Sequence, residues 1–419
     1  MTTPSPSTAA SPSMPAASRL RLALVLGSLT ALGPLSIDMY LPALPQLTER
    51  FHTGEPEVQL TLTACLAGLG LGQLLMGPLS DALGRRRPLV AGLVVYVVAS
   101  LGCALAPSVE VLTAARLAQG FAGAAGVVIA RAVARDLYSG PALARFFSML
   151  MLVNGMAPIL APVIGSQLLR VLPWPGVFVA LAAYGVLVSL GAGLGLPETL
   201  PSTVRRPGGL RRTASVMAEL LSDRRFVGYA AAPGLLFAAM FAYIAGSPFV
   251  LQQVYGLSAQ QFGLVFGMNA LGIMALGQLS GRLVHRVPPR RLLLAGLLTA
   301  VTGGAVLVAT TVGNLALPAV LPGLFLIVAS VGLVMPNATA LAMAGRPEQA
   351  GSASALLGVL QFALGAAAAP LVGAAGTVTA VPMAVLMFAL TVAALMAFAL
   401  LTRSRKPVGA GMHGSAAGR

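Results

Sequence analysis

The sequence predicts an all-α polytopic membrane protein with twelve transmembrane helices in two bundles of six, on three observations. The first is composition. Hydrophobic residues are 57% of the 419-residue chain and charged ones 9%, against about 25% charged in soluble domains. A soluble body of this length has no way to hide that much apolar surface, so the chain belongs in a bilayer. The second is the spacing of the charges, which leaves apolar stretches the length of one or two membrane crossings. The third is a worn repeat. Gly77-Pro78-Leu79-Ser80-Asp81-Ala82-Leu83-Gly84-Arg85-Arg86-Arg87 lies between two apolar runs. Gly277-Gln278-Leu279-Ser280-Gly281-Arg282-Leu283-Val284-His285-Arg286 returns its skeleton 200 residues later. Duplicated halves are a common way to build membrane transporters.

Taken in order, residues 1–18 hold Ser, Pro, Thr and Ala without charge or period and are expected to form a disordered tail. The apolar run after Arg19 and Arg21 exceeds the roughly 7–15 residues of a signal-peptide core and is expected as an uncleaved first helix. Val58–Ser80, Pro88–Val109, Phe146–Leu169 and Val171–Pro197 are free of charge over 23, 22, 24 and 27 residues. Val111–Ala130 is interrupted only by Arg116. Each fits one crossing, which needs about 20 apolar residues, and these six make a first bundle over 19–197. Residues 198–225 are polar and basic, with Arg205, Arg206, Arg211 and Arg212, and form a linker. In the second bundle, 226–402, the charge-free gaps lengthen to 56, 54 and 54 residues (Phe226–Gly281, Leu292–Gly345, Gln349–Thr402). Each holds two crossings, with turns expected at Pro248–Ser258, Gly313–Pro318 and Gly373–Pro382. Residues 403–419 are a second tail.

The net charge of +15 sits in loops, which makes it a topology signal and not a nucleic-acid footprint. With the amino terminus in the cytoplasm, 23 of the 26 basic residues lie on that side. Arg50 and Arg170 lie outside with Glu49, Glu55, Glu57 and Glu110. Both termini, the linker and the Gly77–Arg87 turn are therefore expected in the cytoplasm of a cell bounded by this inner membrane. No enzyme chemistry is expected. His52, His285 and His413 are far apart in loops or tails, and no metal spacing, hydrolase elbow or phosphate loop occurs. Gly68-Leu69-Gly70-Leu71-Gly72 is expected to serve close helix packing, and Cys65 and Cys103, inside apolar runs, to pack.

The Gly77–Arg87 turn resembles the signature loop between helices two and three of the major facilitator superfamily, matched by Gly77, Leu79, Asp81, Gly84, Arg85 and Arg86. Three further segments resemble its proton-coupled drug exporters with twelve helices. Asp38-Met39-Tyr40-Leu41-Pro42-Ala43-Leu44-Pro45 is similar to the end of helix one in the bicyclomycin/chloramphenicol resistance (Bcr/CflA) subgroup. Arg116-Leu117-Ala118-Gln119-Gly120 is similar to the helix-four motif. Ala157-Pro158-Ile159-Leu160-Ala161-Pro162-Val163-Ile164-Gly165-Ser166 is similar to the helix-five antiporter motif, with Ala161 and Ser166 at glycine positions of the wider pattern. The resemblance, which extends to chloramphenicol/florfenicol exporters, implies a monomer that needs no cofactor. Its partners are then a small drug, protons and the lipid bilayer, and the proton gradient drives it.

Counted against the expected spans, only Asp38 and Arg116 are charges inside them, and each costs about 2.5–3.5 kcal/mol at mid-bilayer even on lenient scales. Asp38 is expected to bind the coupling proton. Arg116, at a compatible depth on helix four, is expected to meet Asp38 and share in proton coupling: burial favours the neutral carboxyl and the Arg116 guanidinium the charged one, so a moving helix would switch it. The plainer alternatives are that Asp38 orients Tyr40 and Pro42 at the interface, and that Arg116 clamps helices one and four. In the turn, the arginines first of all anchor topology. The resemblance implies that Asp81 meets the amino end of helix eleven as a latch between halves, and Asp136 is a candidate partner for Arg85. Pro158 and Pro162 are expected to bend helix five, with Gly165 in the same motif. By resemblance, helices one, four, seven and ten line the substrate cavity. The candidates are Tyr40, Gln119, Met240, Tyr243, Asn337 and, from helix eleven, Gln361.

Two turns before Asp38 stands Thr30 and not an acid, which favours neutral or weakly polar drugs, such as phenicols, over cationic dyes. An importer of a sugar or organic acid, or an exporter of an endogenous metabolite, is the alternative. A sugar site calls for aromatics, and the one tryptophan, Trp174, falls in an outer turn. An anionic substrate calls for more than one buried cation.

Overall fold

The computed structural model describes residues 16–138, 140–201, 203, 205, 217–344, 350–374 and 379–402. The expected tails, apart from 16–18, and most of the expected linker lie outside the described residues. Among those described, the chain is helical and holds no strand. Twelve long helices follow one another: α1 Ala16–Asp38, α2 Glu55–Leu83, α3 Arg86–Ala104, α4 Val109–Leu137, α5 Gly140–Leu168, α6 Pro175–Gly195, α7 Arg224–Phe249, α8 Ala259–Leu283, α9 Pro289–Val312, α10 Leu317–Met343, α11 Ala350–Ala374 and α12 Val381–Leu401. The shortest, α3, has 19 residues, about 28 Å at 1.5 Å per residue, close to the roughly 30 Å hydrocarbon core. Eleven are long and apolar enough to cross a bilayer. In α5 the described apolar stretch is Gly155–Leu168.

Each long apolar gap of the second half divides where its turn was expected: between α7 and α8, α9 and α10, and α11 and α12. The internal repeat is equally plain, since α2 ends at Leu83 and α8 at Leu283. Two features escape a count of apolar runs. α4 continues to Leu137, past the expected end at Ala130, so Arg131, Arg135 and Asp136 are helical. A short helix, Leu44–Phe51, follows Asp38; Pro45 opens it and Leu44 and Leu47 are its buried side.

Glycine decides the approach of α2 to α4. A Cβ at Gly68 would collide with the Leu117 carbonyl, one at Gly72 with Ala124 Cβ, and one at Gly120 with the Cys65 carbonyl. The Gly68–Gly72 string therefore serves helix packing, as such small residues do in membranes, and Cys65 and Cys103 are buried beside it. Gly120→Val is expected to cost more than the roughly 1–3 kcal/mol usual for overpacking, because the obstacle is backbone and has no rotamer to give. Size-exclusion chromatography in detergent reads this as loss of the monodisperse peak. Gly77→Ala is the control, since its Cβ meets nothing nearer than Val128 Cγ1 at 4.0 Å.

The two halves meet toward the end that carries Glu49, Glu55, Glu57 and Glu110, here the acidic end. α5 and α8 pack closely there. Ala161 and Ser166 of α5 are larger than glycine, and α8 compensates with Gly263, whose Cβ would come within 2.9 Å of Ser166 Oγ. Thr63 Oγ1 donates to the Ala366 carbonyl (3.3 Å), Gln252 Nε2 to that of Pro42 (3.5 Å) and Gln260 Nε2 to that of Ser166 (3.1 Å). Among the described residues these are the hydrogen bonds that cross between halves, and all lie on the acidic side of mid-depth. Among the described residues, the hydrogen bonds that join the halves thus gather toward the acidic end.

Candidate functional site

A cavity of about 330 Å³ lies between the halves, walled by α1, α2, α4 and α5 on one side and by α7, α8, α10 and α11 on the other. Its size is that of a small-molecule pocket. The wall is mainly apolar, with Ile37, Leu69, Phe237, Phe266 and Phe362 prominent. Asp38 supplies its carboxyl group. α1 ends at this residue, the side chain lines the cavity, and it forms no hydrogen bond or ion pair among the described residues. Gly165 of α5 sets this corner, since a Cβ there would strike the Met39 carbonyl. Pro158, in the same helix, lines the cavity, and the Pro162 carbonyl backs Gly263 of α8.

Arg116 does not meet Asp38. It is fully buried within the first half. Its Nη1 donates to the Ser36 carbonyl at 2.8 Å and to Gln119 Oε1 at 2.6 Å. Its guanidinium lies 4.8 Å from the Tyr40 ring centroid and 5.7 Å from that of Phe178. Nε and Nη2 have no hydrogen-bond partner among the described residues. The physical reason is the end of α1. Its last carbonyls have no partner within the helix and carry the negative end of the helix dipole, and the Ser36 carbonyl, not the Asp38 carboxylate, is turned toward α4. In this state Arg116 bridges α1 and α4.

Of the six candidate cavity residues, Met240, Tyr243 and Gln361 line the wall. Tyr243 stacks on Phe266, centroids 5.4 Å apart, and its hydroxyl accepts from Asn269 Nδ2 at 2.9 Å. The other three are elsewhere. Tyr40 is buried against Phe178, its hydroxyl 2.9 Å from Thr61 Oγ1. Gln119 spans Arg116 and Ser100, donating to Ser100 Oγ at 2.8 Å. Asn337 ties α10 to α8, donating to Ser280 Oγ at 2.7 Å. Each sits on a face turned into its own bundle, where a polar group must find a partner away from lipid.

Gln73, Asn269 and Arg131 are cavity-lining polar residues that the sequence did not single out. Arg131 was reachable: it lies within the last two turns of α4, and only the early expected end of that helix placed it in a loop.

At the basic end, Arg85 is enclosed by carboxylates. Its Nε lies 2.9 Å from Asp136 Oδ2, and Nη1 pairs with Asp81. Burial alone would lower the guanidinium pKa, and Asp136 and Asp81 outweigh it and hold it above the usual arginine range. Glu198, just after α6, accepts from the backbone N–H of Arg85 at 2.8 Å and of Arg86 at 3.2 Å. It thus caps the start of α3 from outside, where an anion is favoured. Burial pushes Glu198 up, but these donors, Leu200 N–H and Arg205 prevail and leave it below the usual glutamate range. Gly84 makes the corner with a φ of +89°, which only glycine adopts freely, and a Cβ there would strike Glu198. Arg86 reaches the Gly193 carbonyl at 2.6 Å. Gly77 is not crowded. Asp81 is half exposed, and its only polar partner among the described residues is Arg85; residues 345–349 before α11 lie outside those described.

A family model described as Major Facilitator Superfamily matches residues 26–370, most of the chain. The chain belongs to the major facilitator superfamily. Members of this superfamily are transporters, so the protein is an integral membrane transporter and not an enzyme. A Bacillus subtilis (strain 168) protein described as an uncharacterized MFS-type transporter, YdgK, is 42% identical over 92% of this chain and 96% of its own. A bicyclomycin resistance protein homolog of Haemophilus influenzae (strain ATCC 51907 / DSM 11121 / KW20 / Rd) is 32% identical over 90% of this chain and 95% of its own. Among solved structures, a bacterial homolog of the human lysosomal transporter Spinster, inward-facing and unoccupied, superimposes with a TM-score of 0.69 at 17% identity over 93% of this chain and 96% of its own. That likeness carries the superfamily fold: two six-helix halves about a central cavity.

Proposed function

We propose that this major facilitator protein is a proton-coupled exporter of small neutral or weakly polar antibiotics of the chloramphenicol type. The observation that carries this reading is the carboxyl group of Asp38, without a hydrogen bond or ion pair among the described residues, toward the acidic end of a mainly apolar cavity between the halves. The 32% identity to a bicyclomycin resistance protein homolog supports drugs as the cargo. The Arg-rich turn, linker and termini face the cytoplasm of the inner membrane, by the excess of arginine at that end. The chain acts as a monomer.

The cycle follows from the groups in place. Drug enters from the cytoplasm against the aromatic wall, and deprotonated Asp38 marks the drug-loaded carrier. The halves rock, Asp38 takes a proton from outside, and the protonated carrier returns. The unused nitrogens of Arg116, one helix end away, receive the Asp38 carboxylate when α1 shifts. Asp81, Arg85 and Asp136 form half of a latch that is completed when the basic end closes and brings α11 to Asp81. One neutral drug leaving for one proton entering moves one charge inward, about 2.3 kcal/mol per 100 mV, which sustains a roughly 40-fold drug gradient.

The test uses purified protein in liposomes with an imposed pH difference. Radiolabelled chloramphenicol is expected to accumulate in the more acidic compartment, and an uncoupler to abolish the gradient. No accumulation with any phenicol, or accumulation on the alkaline side, refutes export and favours the importer.

A further inference from the structure

The cavity has two charged ends, and only one is accounted for by the coupled cycle. The other is Arg131. It lines the cavity and makes no hydrogen bond or ion pair among the described residues. The contrast with Arg85, one helix away and paired with Asp81 and Asp136, is sharp. The charged group that acts on Arg131 is another cation, Arg135, one turn further on. Its depth follows from the packing of α1 on α4, where a Cβ at Gly33 would lie 3.8 Å from Val127. Asp38 is five residues from that level in one direction and Arg131 four in the other, so the two mark opposite ends of the site, about 13 Å apart along the helices at 1.5 Å per residue.

We propose that Arg131 is a substrate-binding residue, and that this cavity takes amphiphiles with an apolar body and a carboxylate or comparable acceptor group at the end facing the cytoplasm. The proposal rests on the export reading and names its substrate class. A cation facing a largely apolar cavity with no carboxylate paired to it is a costly arrangement, and an acceptor on the ligand relieves it with a charge-assisted hydrogen bond. The aromatic and aliphatic wall between Arg131 and Asp38 fits the apolar body. A nitro group satisfies the same donors more weakly, which keeps phenicols within the class. Lipophilic cations are disfavoured, because they would meet Arg131 first. The driving force agrees. A monoanion leaving against one entering proton moves two charges inward, a neutral drug one and a monocation none, so an inside-negative potential favours the anion most.

Equilibrium dialysis of the full-length protein in nanodiscs against three probes tests this: chloramphenicol, its anionic succinate ester and tetraphenylphosphonium. The wild type is expected to bind the ester at least as well as chloramphenicol, and tetraphenylphosphonium about tenfold more weakly or worse, a single charged contact's worth. Arg131→Gln is expected to weaken the ester about tenfold or more, with chloramphenicol changed far less, and Arg131→Lys to retain the ester. Unchanged ester affinity in Arg131→Gln, with chloramphenicol still bound, overturns this inference and leaves the export reading standing. If Arg131→Gln loses chloramphenicol as well, Arg131→Lys decides: binding chloramphenicol but not the ester overturns the inference, and binding both upholds it. A wild type that binds none of the three overturns both.

Discussion

Asp38→Asn is expected to reduce proton-driven chloramphenicol accumulation in liposomes to that of empty vesicles, while the protein is made and folded as before. The side chain faces the cavity and holds no neighbour in place, so its loss removes a titration and not a contact. Exchange of drug for proton requires that protonation weaken drug binding, and by reciprocity that drug weaken proton binding. Asparagine is neutral at every pH and cannot take part. Drug affinity in the variant is therefore expected to match the weak affinity of protonated wild type and to lose its dependence on pH. In wild type, affinity falls as the medium becomes acidic enough to protonate Asp38. A variant that still accumulates drug against a gradient would remove Asp38 from the mechanism.

Arg116→Met is expected to separate stability from transport. The guanidinium is fully buried, yet Nε and Nη2 have no hydrogen-bond partner among the described residues, an arrangement whose desolvation cost rivals what the remaining contacts return. The faces of Tyr40 and Phe178 offset part of it, about 0.5–2 kcal/mol each at most. Replacing a buried charged group by an apolar side chain of similar length is often neutral or stabilising by about 1–4 kcal/mol. The variant should therefore unfold in detergent at or above the wild-type temperature. Transport should nevertheless stop, because the nitrogens proposed to receive the Asp38 carboxylate are gone. Arg116→Ala, which leaves a cavity beside Tyr40 as well, should unfold at a lower temperature. A wild-type transport rate in Arg116→Met would show that the arginine is only a clamp between α1 and α4.

Much of the architecture was legible in residue order. Charge-free gaps located the helices because a charge in hydrocarbon is costly wherever the helix faces. The pairing of Arg85 with Asp136 was anticipated and is formed at 2.9 Å, since the start of α3 and the end of α4 lie at the same end of two helices that pack together. The cavity lining was less legible. Tyr40, Gln119 and Asn337 look like site residues as a list of polar side chains in spans. They turn instead toward Thr61, Arg116 with Ser100, and Ser280. Gln73, Asn269 and Arg131 are no more distinctive as letters, yet they line the cavity.

What the sequence determined alone is the membrane class, the number of long helices and where each apolar run lies, the duplicated halves and the two ionisable groups set apart in apolar runs. These depend on the cost of placing each residue type in lipid, a property of the residue and its depth. Only the tertiary structure decided which side of each helix meets the cavity, that Arg116 takes the Ser36 carbonyl and not Asp38, and that Arg131 joins the site. Those depend on the rotation of each helix about its own axis. That rotation is set by where backbones can touch, as at Gly68, Gly120 and Gly165, through contacts between residues far apart in the chain.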